Sequence, residues 1–240
     1  MIRYVPVMLC CLMISDQAAG EEWAKMREQM VKDIESETFI TRQYLGKAEL
    51  DEKVMQAIGK VPRHEFVPEQ HQRDSYLNQP LPIGKGQTIS QPFIVALMTD
   101  LLEVGESDTV LELGTGSGYQ AAVLGELVRQ VYTIEIVESL GERAADILSE
   151  LGYENVHTRI GDGFYGWSEH APYDGIIVTA AGIGVPPALI TQLKTDGKLV
   201  IPVGEQHATQ HLMVITKNAD GSTSSKNVLP VRFVPITGEH

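Results

Sequence analysis

The sequence is poor in cysteine, and the two cysteines that it has are adjacent. Among its 240 residues only Cys10 and Cys11 are of this type. The chain after position 11 therefore has no disulfide, no thiolate ligand for a metal ion and no cysteine nucleophile. This excludes a disulfide scaffold, a cysteine-based zinc site and thiolate catalysis for that part of the protein.

Basic residues are also scarce, with 19 Lys and Arg against 32 Asp and Glu and a formal net charge of -13. This charge repels duplex nucleic acid and anionic membranes unless a basic patch overrides the field, and the sequence has no such patch. Long apolar runs are missing too. The longest, residues 4–14, is shorter than the about 20 residues of a bilayer-spanning helix. We expect neither nucleic acid nor a membrane as a partner.

The first 20 residues differ in character from the rest of the chain. Arg3 precedes the apolar residues 4–14, and the small residues 18–20 follow them. This order is typical of a secretory signal peptide, although an apolar arm packed on the domain is the alternative. We therefore predict a possible signal peptide at 1–20, which would make the protein periplasmic or secreted, and a single domain at 21–240.

The N-terminal third of that domain combines helices with a long irregular segment. Apolar residues at helical spacing predict two amphipathic helices between residues 21 and 60. Residues 61–91 are rich in proline and glycine, which predicts a long ordered loop without regular structure. Loops of this length are often functional. We place the helices and an active-site loop in 21–92 and a ligand-binding core in 93–240.

From residue 109 onward, strands and helices alternate. The predicted strands are 110–113, 131–135, 156–160, 175–179 and 198–202, and the predicted helices are 118–127, 140–151 and 187–193. Such alternation indicates a parallel sheet covered by helices on both faces. Residues 211–217 and 227–236 predict a final antiparallel pair. The fold class is therefore α/β and Rossmann-like, with a mostly parallel sheet, an N-terminal helical extension and an antiparallel C-terminal strand pair.

A glycine-rich turn follows the first of these strands. Gly114, Gly116 and Gly118 give the spacing G-x-G-x-G, where a ligand can approach backbone amides near the start of a helix. The dinucleotide fingerprint needs its third glycine three positions after the second, and that position is Tyr119. The spacing disfavours a pyrophosphate cradle and hence a nicotinamide oxidoreductase.

Acidic residues stand at the ends of the next two strands. Glu135 is placed to accept hydrogen bonds from two ribose hydroxyls, and Asp162 and Gly163 follow the third strand. Beside the glycine turn they describe a pocket for an adenosine group with a remainder that is not strongly anionic. S-adenosylmethionine fits this better than NAD. The alternative is that Glu135 and Asp162 only cap helices and turns.

Five segments together resemble the protein-L-isoaspartate O-methyltransferase family. They are residues 62–68, 81–84, 86–92, 111–120 and 231–235. The likeness runs from about residue 25 to residue 238. Many methyltransferases share the glycine turn, whereas residues 86–92 are specific to this family.

The resemblance implies an enzyme that uses S-adenosylmethionine, and no metal, to repair aged proteins. It would methylate the free α-carboxyl of L-isoaspartyl residues in damaged proteins and peptides, and the ester would re-close to a succinimide without the enzyme. The family is usually cytoplasmic, and we assume a monomer. Because a carboxylate is ionised at neutral pH, no strong general base is needed.

The resemblance also assigns individual residues. Ser90 matches the active-site serine, which we expect to orient the substrate carboxyl or the methyl region by hydrogen bonding. The positions matched to cofactor binding are Gln91, Pro92, Phe93, Ile94, Gly114, Thr115, Gly116, Glu135, Ile136, Asp162 and Gly163. The positions matched to substrate contact are Ile89, Arg232 and Thr237.

One loop departs from the family pattern, and some alternatives stay open. Residues 182–184 stand where proline usually follows the alanines, so we expect this loop to be looser and substrate affinity to be affected. His207 and His211 have the spacing of two metal ligands, but surface histidines are the simpler interpretation. Neither Ser90 nor Ser117 lies in G-x-S-x-G, which disfavours a hydrolase. A methyltransferase with another acceptor and a non-catalytic nucleotide-binding module remain possible interpretations.

Overall fold

The computed structural model describes residues 8–205 and 207–238. Residues 1–7 of the predicted signal peptide lie outside the described residues, and its cleavage stays a prediction. The two helices predicted between residues 21 and 60 are present as α1, Met8–Leu45, and α2, Glu52–Lys60, but α1 begins within the predicted signal peptide. Asp51 starts α2 because its side chain accepts hydrogen bonds from the amides of Lys53 and Val54. In the described part of the chain no helix is both long and apolar enough to cross a bilayer.

The segment that follows α2 was expected to lack regular structure, and this was wrong. It holds two short 3₁₀ helices, Arg63–Phe66 and Glu69–Asp74, and a hairpin of strands β1, Leu81–Gly84, and β2, Gln87–Ile89. Each 3₁₀ helix begins directly after a proline, which has no amide hydrogen and a preset φ. Proline and glycine therefore organise this segment into turns and a hairpin instead of leaving it irregular.

The core is a seven-stranded sheet. Its strands are β3 Thr109–Leu113, β4 Gln130–Glu135, β5 Val156–Ile160, β6 Tyr173–Val178, β7 Leu193–Val203, β8 Gln210–Lys217 and β9 Thr223–Val231. They lie in the order β5-β4-β3-β6-β7-β8-β9, with β3 to β7 parallel and β8 antiparallel to both its neighbours. The predicted mostly parallel sheet with an antiparallel C-terminal pair is confirmed.

The last strand ends earlier than the sequence pattern suggested. The pattern placed a strand at 227–236, whereas β9 ends at Val231. Beyond it the pairing is made by a side chain, because Gln210 accepts from the Phe233 amide at 2.6 Å and donates to the Phe233 carbonyl at 3.1 Å. The chain then turns so that Pro235 forms a bridge with Ala181. This carries residues 234–237 to the carboxyl end of β6.

Helices cover both faces of the sheet. The remaining ones are α3 Pro92–Leu102, α4 Tyr119–Gly125, α5 Glu138–Glu150 and α6 Pro187–Gln192. Along β3 the side chains alternate. Val110 belongs to the apolar cluster that includes residues of helices α1 to α5, whereas Leu111 and Leu113 belong to the cluster that includes Leu189 of α6. The strand order reverses between β3 and β6, and in parallel sheets ligands bind in the crevice at such a point.

Candidate active site

A cavity lies at this reversal point, beyond the carboxyl ends of β3, β4 and β6, and the hairpin covers it. Its empty volume is about 850 Å³, which includes space at the mouth that is open to solvent. Predicted site residues that line it are Ile89, Ser90, Gly114, Thr115, Gly116, Glu135, Ile136, Gly163 and Thr237. The structure therefore brings together residues from five separate segments of the chain at one place.

The glycine turn forms the floor of this cavity. Gly114 has a φ of +90°, and a Cβ there would lie 2.5 Å from the Thr179 hydroxyl oxygen. That hydroxyl donates hydrogen bonds to the carbonyls of Leu113 and Gly114, at 3.0 and 2.6 Å. The turn is thus tied to the end of β6 with no side chain between its backbone and a ligand.

Glu135 ties the glycine turn to the end of β4. One carboxylate oxygen accepts from the Gly116 amide at 2.7 Å, and the other accepts from the Val137 amide at 2.9 Å. The side chain is buried and lines the cavity. Each carboxylate oxygen can accept more than one hydrogen bond, so this structural role leaves room for a ligand hydroxyl. Glu135 therefore makes the contacts of the capping interpretation and also lines the cavity.

Asp162 stabilises a turn in the cavity wall without lining the cavity itself. Its carboxylate accepts from the Phe164 amide at 2.9 Å and starts the 3₁₀ helix Gly163–Tyr165. Gly163 and Phe164 reach the cavity. A Cβ on Gly163 would lie 2.8 Å from Leu113, so this turn sits tightly against the end of β3. Asp162 fits the capping interpretation, with Gly163 as the residue at the surface of the cavity.

Ser90 lies between this cavity and an adjoining one. The two cavities share Thr88, Ser90, Thr179 and Val234 in their walls. Three residues that the resemblance matched to the cofactor, Gln91, Phe93 and Ile94, line the adjoining cavity instead, together with Arg232. Pro92 lines neither and starts α3. The predicted substrate residues Arg232 and Thr237 therefore flank Ser90 from different cavities.

Glu112 is a site residue that the sequence analysis missed. It is the residue before the last of β3, is fully buried and lines the cavity. Neither carboxylate oxygen makes a hydrogen bond of ordinary geometry among the described residues, and the Thr133 hydroxyl is a polar neighbour. Burial, reinforced by the negative charge of Glu135 and opposed by the Thr133 hydroxyl, raises the pKa of Glu112 to about 8. The available signal was a carboxylate inside an otherwise apolar strand.

The loop that departs from the family pattern is tied down at its start. The Ala181 amide donates to the Val234 carbonyl at 2.8 Å, and the Gly182 amide donates to the Pro202 carbonyl at 3.1 Å. A Cβ on Gly182 would lie 2.5 Å from the Gly184 carbonyl oxygen. At the tip, Ile183 is 87% exposed. Only the tip therefore projects freely beside the site.

Two solved structures with similar folds have titles that name protein-L-isoaspartate O-methyltransferase. One titled protein-L-isoaspartate O-methyltransferase has a TM-score of 0.78 and 28% identity over 88% of this chain and 66% of that longer chain. A second, from Plasmodium falciparum, is titled as a putative enzyme of the same type in complex with S-adenosyl-L-homocysteine. It has a TM-score of 0.72 at 22% identity and covers 88% of this chain and 98% of that chain, which supports the fold. The predicted Rossmann-like methyltransferase fold is confirmed.

Sequence comparison points the same way. Protein-L-isoaspartate O-methyltransferase 2 of Syntrophobacter fumaroxidans is 55% identical over 93% of this chain and 90% of its own length. Protein-L-isoaspartate O-methyltransferase 1 of Cupriavidus necator is 54% identical over 98% of this chain and 91% of its own length. The family described as Protein-L-isoaspartate(D-aspartate) O-methyltransferase matches residues 29–240. Because that match includes the hairpin, the glycine turn and the cavity between them, the chain belongs to the protein-L-isoaspartate O-methyltransferase family.

Proposed function

We propose that this protein transfers a methyl group from S-adenosylmethionine to the free α-carboxyl of L-isoaspartyl residues in damaged proteins and peptides. Family membership supports this acceptor. The two relatives described above match this chain over nearly their whole length, and their names specify protein L-isoaspartate as the acceptor. The observation that carries the cofactor is the cavity with a glycine floor and two buried carboxylates, Glu112 and Glu135.

The charges in the cavity favour a cationic ligand. Glu112 is fully buried with a raised pKa, and a cation beside it would offset the cost of burying its ionised form. S-adenosylmethionine carries a sulfonium and an ammonium group, whereas a dinucleotide pyrophosphate would bring negative charge toward Glu112 and Glu135. The cavity therefore fits S-adenosylmethionine.

Specific residues would hold the parts of this cofactor. Gly114, Thr115 and Gly116 offer backbone to its methionine end, next to Glu112. Glu135, with Ile136 beside it, would accept from the ribose hydroxyls. Gly163, on the turn held by Asp162, would face the adenine. Gln91, Pro92, Phe93 and Ile94 follow Ser90 and would support the hairpin against the cofactor from the neighbouring cavity.

The main task of the protein in this reaction is to position the substrate carboxylate next to the methyl group. The cofactor supplies a methyl carbon activated by its sulfonium, so the substrate carboxylate oxygen forms the new bond while the carbon–sulfur electron pair stays on sulfur. The carboxylate is already ionised at neutral pH and needs no general base. Ser90, at the junction of the cavities, would orient it by donating a hydrogen bond, and closing the site would remove water from it.

The acceptor peptide would approach from the adjoining cavity. Arg232 lies in the wall of that cavity, and Thr237 lies across Ser90 in the cofactor cavity. Ile89 is buried at the end of β2 and would fix the position of the adjacent Ser90 relative to the peptide. We propose these three residues as the substrate contacts.

The test is methyl transfer from labelled S-adenosylmethionine to two peptides that differ only in L-isoaspartate or L-aspartate at one position. We expect label only in the isoaspartyl peptide, as a base-labile ester. Label in neither peptide, with S-adenosylmethionine still bound, would contradict the acceptor and leave a different substrate or a binding role. No binding of the cofactor would contradict the cavity assignment itself.

A further inference from the structure

Arg63 is a fully buried cation directly behind the active-site serine. It is 0% exposed. Its Nε donates to the Ser75 carbonyl at 2.7 Å, and its Nη2 donates to the Ser90 carbonyl at 2.7 Å. The guanidinium thus joins the segment before the hairpin to the residue directly after it. These two contacts fix where Ser90 stands.

This cation has no acidic partner among residues 8–205 and 207–238. None of the ion pairs formed there includes Arg63. Its carbon Cζ lies 4.7 Å from the centre of the Tyr119 ring. Burial lowers the pKa of Arg63 to about 10, against the opposing effect of the Tyr119 and Tyr76 hydroxyls, so the group stays protonated at neutral pH. A buried charge without a counter-charge is expensive to keep in a fold.

The positive charge of Arg63 lies next to the place where the acceptor carboxylate is proposed to bind. Ser90 and Tyr119, which Arg63 contacts, both line the cofactor cavity. The carboxylate of Glu135 in that cavity would repel an approaching carboxylate, as would the chain's net charge of -13. Arg63 is positioned behind the wall to offset this repulsion, shielded from water and salt.

We propose that Arg63 is a positioning residue that selects an ionised carboxylate as the acceptor. It does so by holding the Ser90 carbonyl and by making the potential at Ser90 positive. The inference rests on the proposed function, because it concerns the carboxylate that is to be methylated. Arg232 is an exposed cation at the adjoining cavity, where solvent screens its field more strongly.

The experiment compares two peptides of one sequence, one with an isoaspartyl α-carboxylate and the other with the neutral α-carboxamide. Their dissociation constants are measured by calorimetry on the full chain saturated with S-adenosylhomocysteine, so that no turnover occurs. The wild type should bind the carboxylate peptide at least about tenfold more tightly than the carboxamide peptide. Arg63→Gln should bring this ratio close to one. A merely structural defect would weaken both peptides equally and leave the ratio unchanged.

Two further variants separate charge from structure. Arg63→Lys keeps the charge and loses the paired contacts, so it should weaken both peptides but keep most of the preference for the carboxylate. Lys226→Gln removes an exposed charge on β9 that lines neither cavity and should keep the wild-type ratio.

The inference is overturned if Arg63→Gln keeps the wild-type ratio or if Arg63→Lys loses it. It is also overturned, without any variant, if the wild type does not prefer the carboxylate. Failure of the proposed function looks different, because the wild type then does not methylate the isoaspartyl peptide at all.

Discussion

One wall of the cavity is built on the central sheet, and the other is built on a two-stranded hairpin. The strand-end wall, residues 112–118 with Glu135, is held within the central sheet. The Gly114 amide donates to the Ile134 carbonyl at 2.9 Å, β3 pairs with strands on both sides, and the side chains of Glu135 and Thr179 bind the turn from the ends of neighbouring strands. The hairpin wall, residues 81–91, is held at its base by side chains that come from far along the chain.

The contacts at the base of the hairpin wall show this difference. Glu37 of α1 accepts from Asn78 at 2.6 Å and from Gln91 at 3.0 Å, so one carboxylate joins the residues before and after the hairpin. Asn78 in turn accepts from the Phe93 amide at the start of α3, at 3.0 Å. Changes in the strand-end wall should therefore affect cofactor binding, whereas changes at the hairpin base should affect the acceptor.

The largest effect is expected from Gly114→Ala in the strand-end wall. The positive φ disfavours a side chain by about 1–2 kcal/mol, and the new methyl group would overlap the Thr179 hydroxyl. We expect affinity for S-adenosylhomocysteine to fall at least about 100-fold by calorimetry. Gly84→Ala is the matched control, because Gly84 has a φ of +98° in the hairpin turn with nothing within 4 Å of the added carbon. Equal losses in both variants would contradict the proposed difference between the walls.

The next effect concerns stability and comes from Glu112→Gln. The pKa of Glu112 is about 8 in the folded protein against an ordinary 4.5, so the folded state binds the proton more tightly. The free energy of unfolding of the wild type should therefore fall as the pH rises between these values. Glutamine does not ionise, so the free energy of unfolding of the variant should rise relative to that of the wild type across this range. The difference should reach on the order of a few kcal/mol at the upper end.

Denaturant unfolding of both proteins at several pH values measures this gain. Glu205→Gln, which removes an exposed carboxylate outside the cofactor cavity and keeps Glu112, is the control for the loss of one carboxylate. A gain for Glu112→Gln that does not grow with pH would show that the Glu112 carboxyl already ionises normally in the fold.

The strand-end wall could be predicted because its signals are local. The glycine spacing, Glu135 at the end of a strand and the alternation of strands and helices can each be read within a few residues. Their confirmed arrangement follows from parallel strands placing their carboxyl ends at one edge. Glu112 was missed because its importance depends on its complete burial beside the cavity, which only the packed fold reveals.

The hairpin wall could be recognised by resemblance but not constructed from the pattern. Its prolines predicted a loop, while the 3₁₀ turns and the hairpin depend on contacts with distant residues. Arg63 lies 27 residues from Ser90, and Glu37 lies 54 residues from Gln91. No local periodicity encodes such pairs, so the sequence alone placed Ser90 in a functional segment without showing what fixes it.

A smaller effect is expected from Ser90→Ala in the hairpin wall. Loss of one orienting hydrogen bond should lower kcat/KM for an isoaspartyl peptide about 10- to 100-fold, because the carboxylate is then held less well in line with the methyl group. Affinity for S-adenosylhomocysteine should change less than about twofold. Ser222→Ala, in the turn between β8 and β9, is the control and should keep full activity. An unimpaired Ser90→Ala enzyme would refute the orienting role.

The smallest effect, and the one that tests the comparison most finely, is expected from Glu37→Ala. Releasing Asn78 and Gln91 removes two hydrogen bonds, each worth about 0.5–1.5 kcal/mol net, from the base of the hairpin. The KM for the peptide should rise about three- to tenfold, while affinity for S-adenosylhomocysteine stays near that of the wild type. Glu37→Gln keeps an acceptor oxygen and should restore most of the loss.

Glu35→Ala, an exposed carboxylate two residues away on the same helix, controls for the charge removed from α1. An unchanged KM in Glu37→Ala would mean that Arg63 alone holds the hairpin. A parallel loss of cofactor affinity would mean that the two walls move as one unit. A rise in KM alone gives the N-terminal helix a direct part in acceptor binding, because its carboxylate then fixes the segment that presents Ser90 without touching the strand ends.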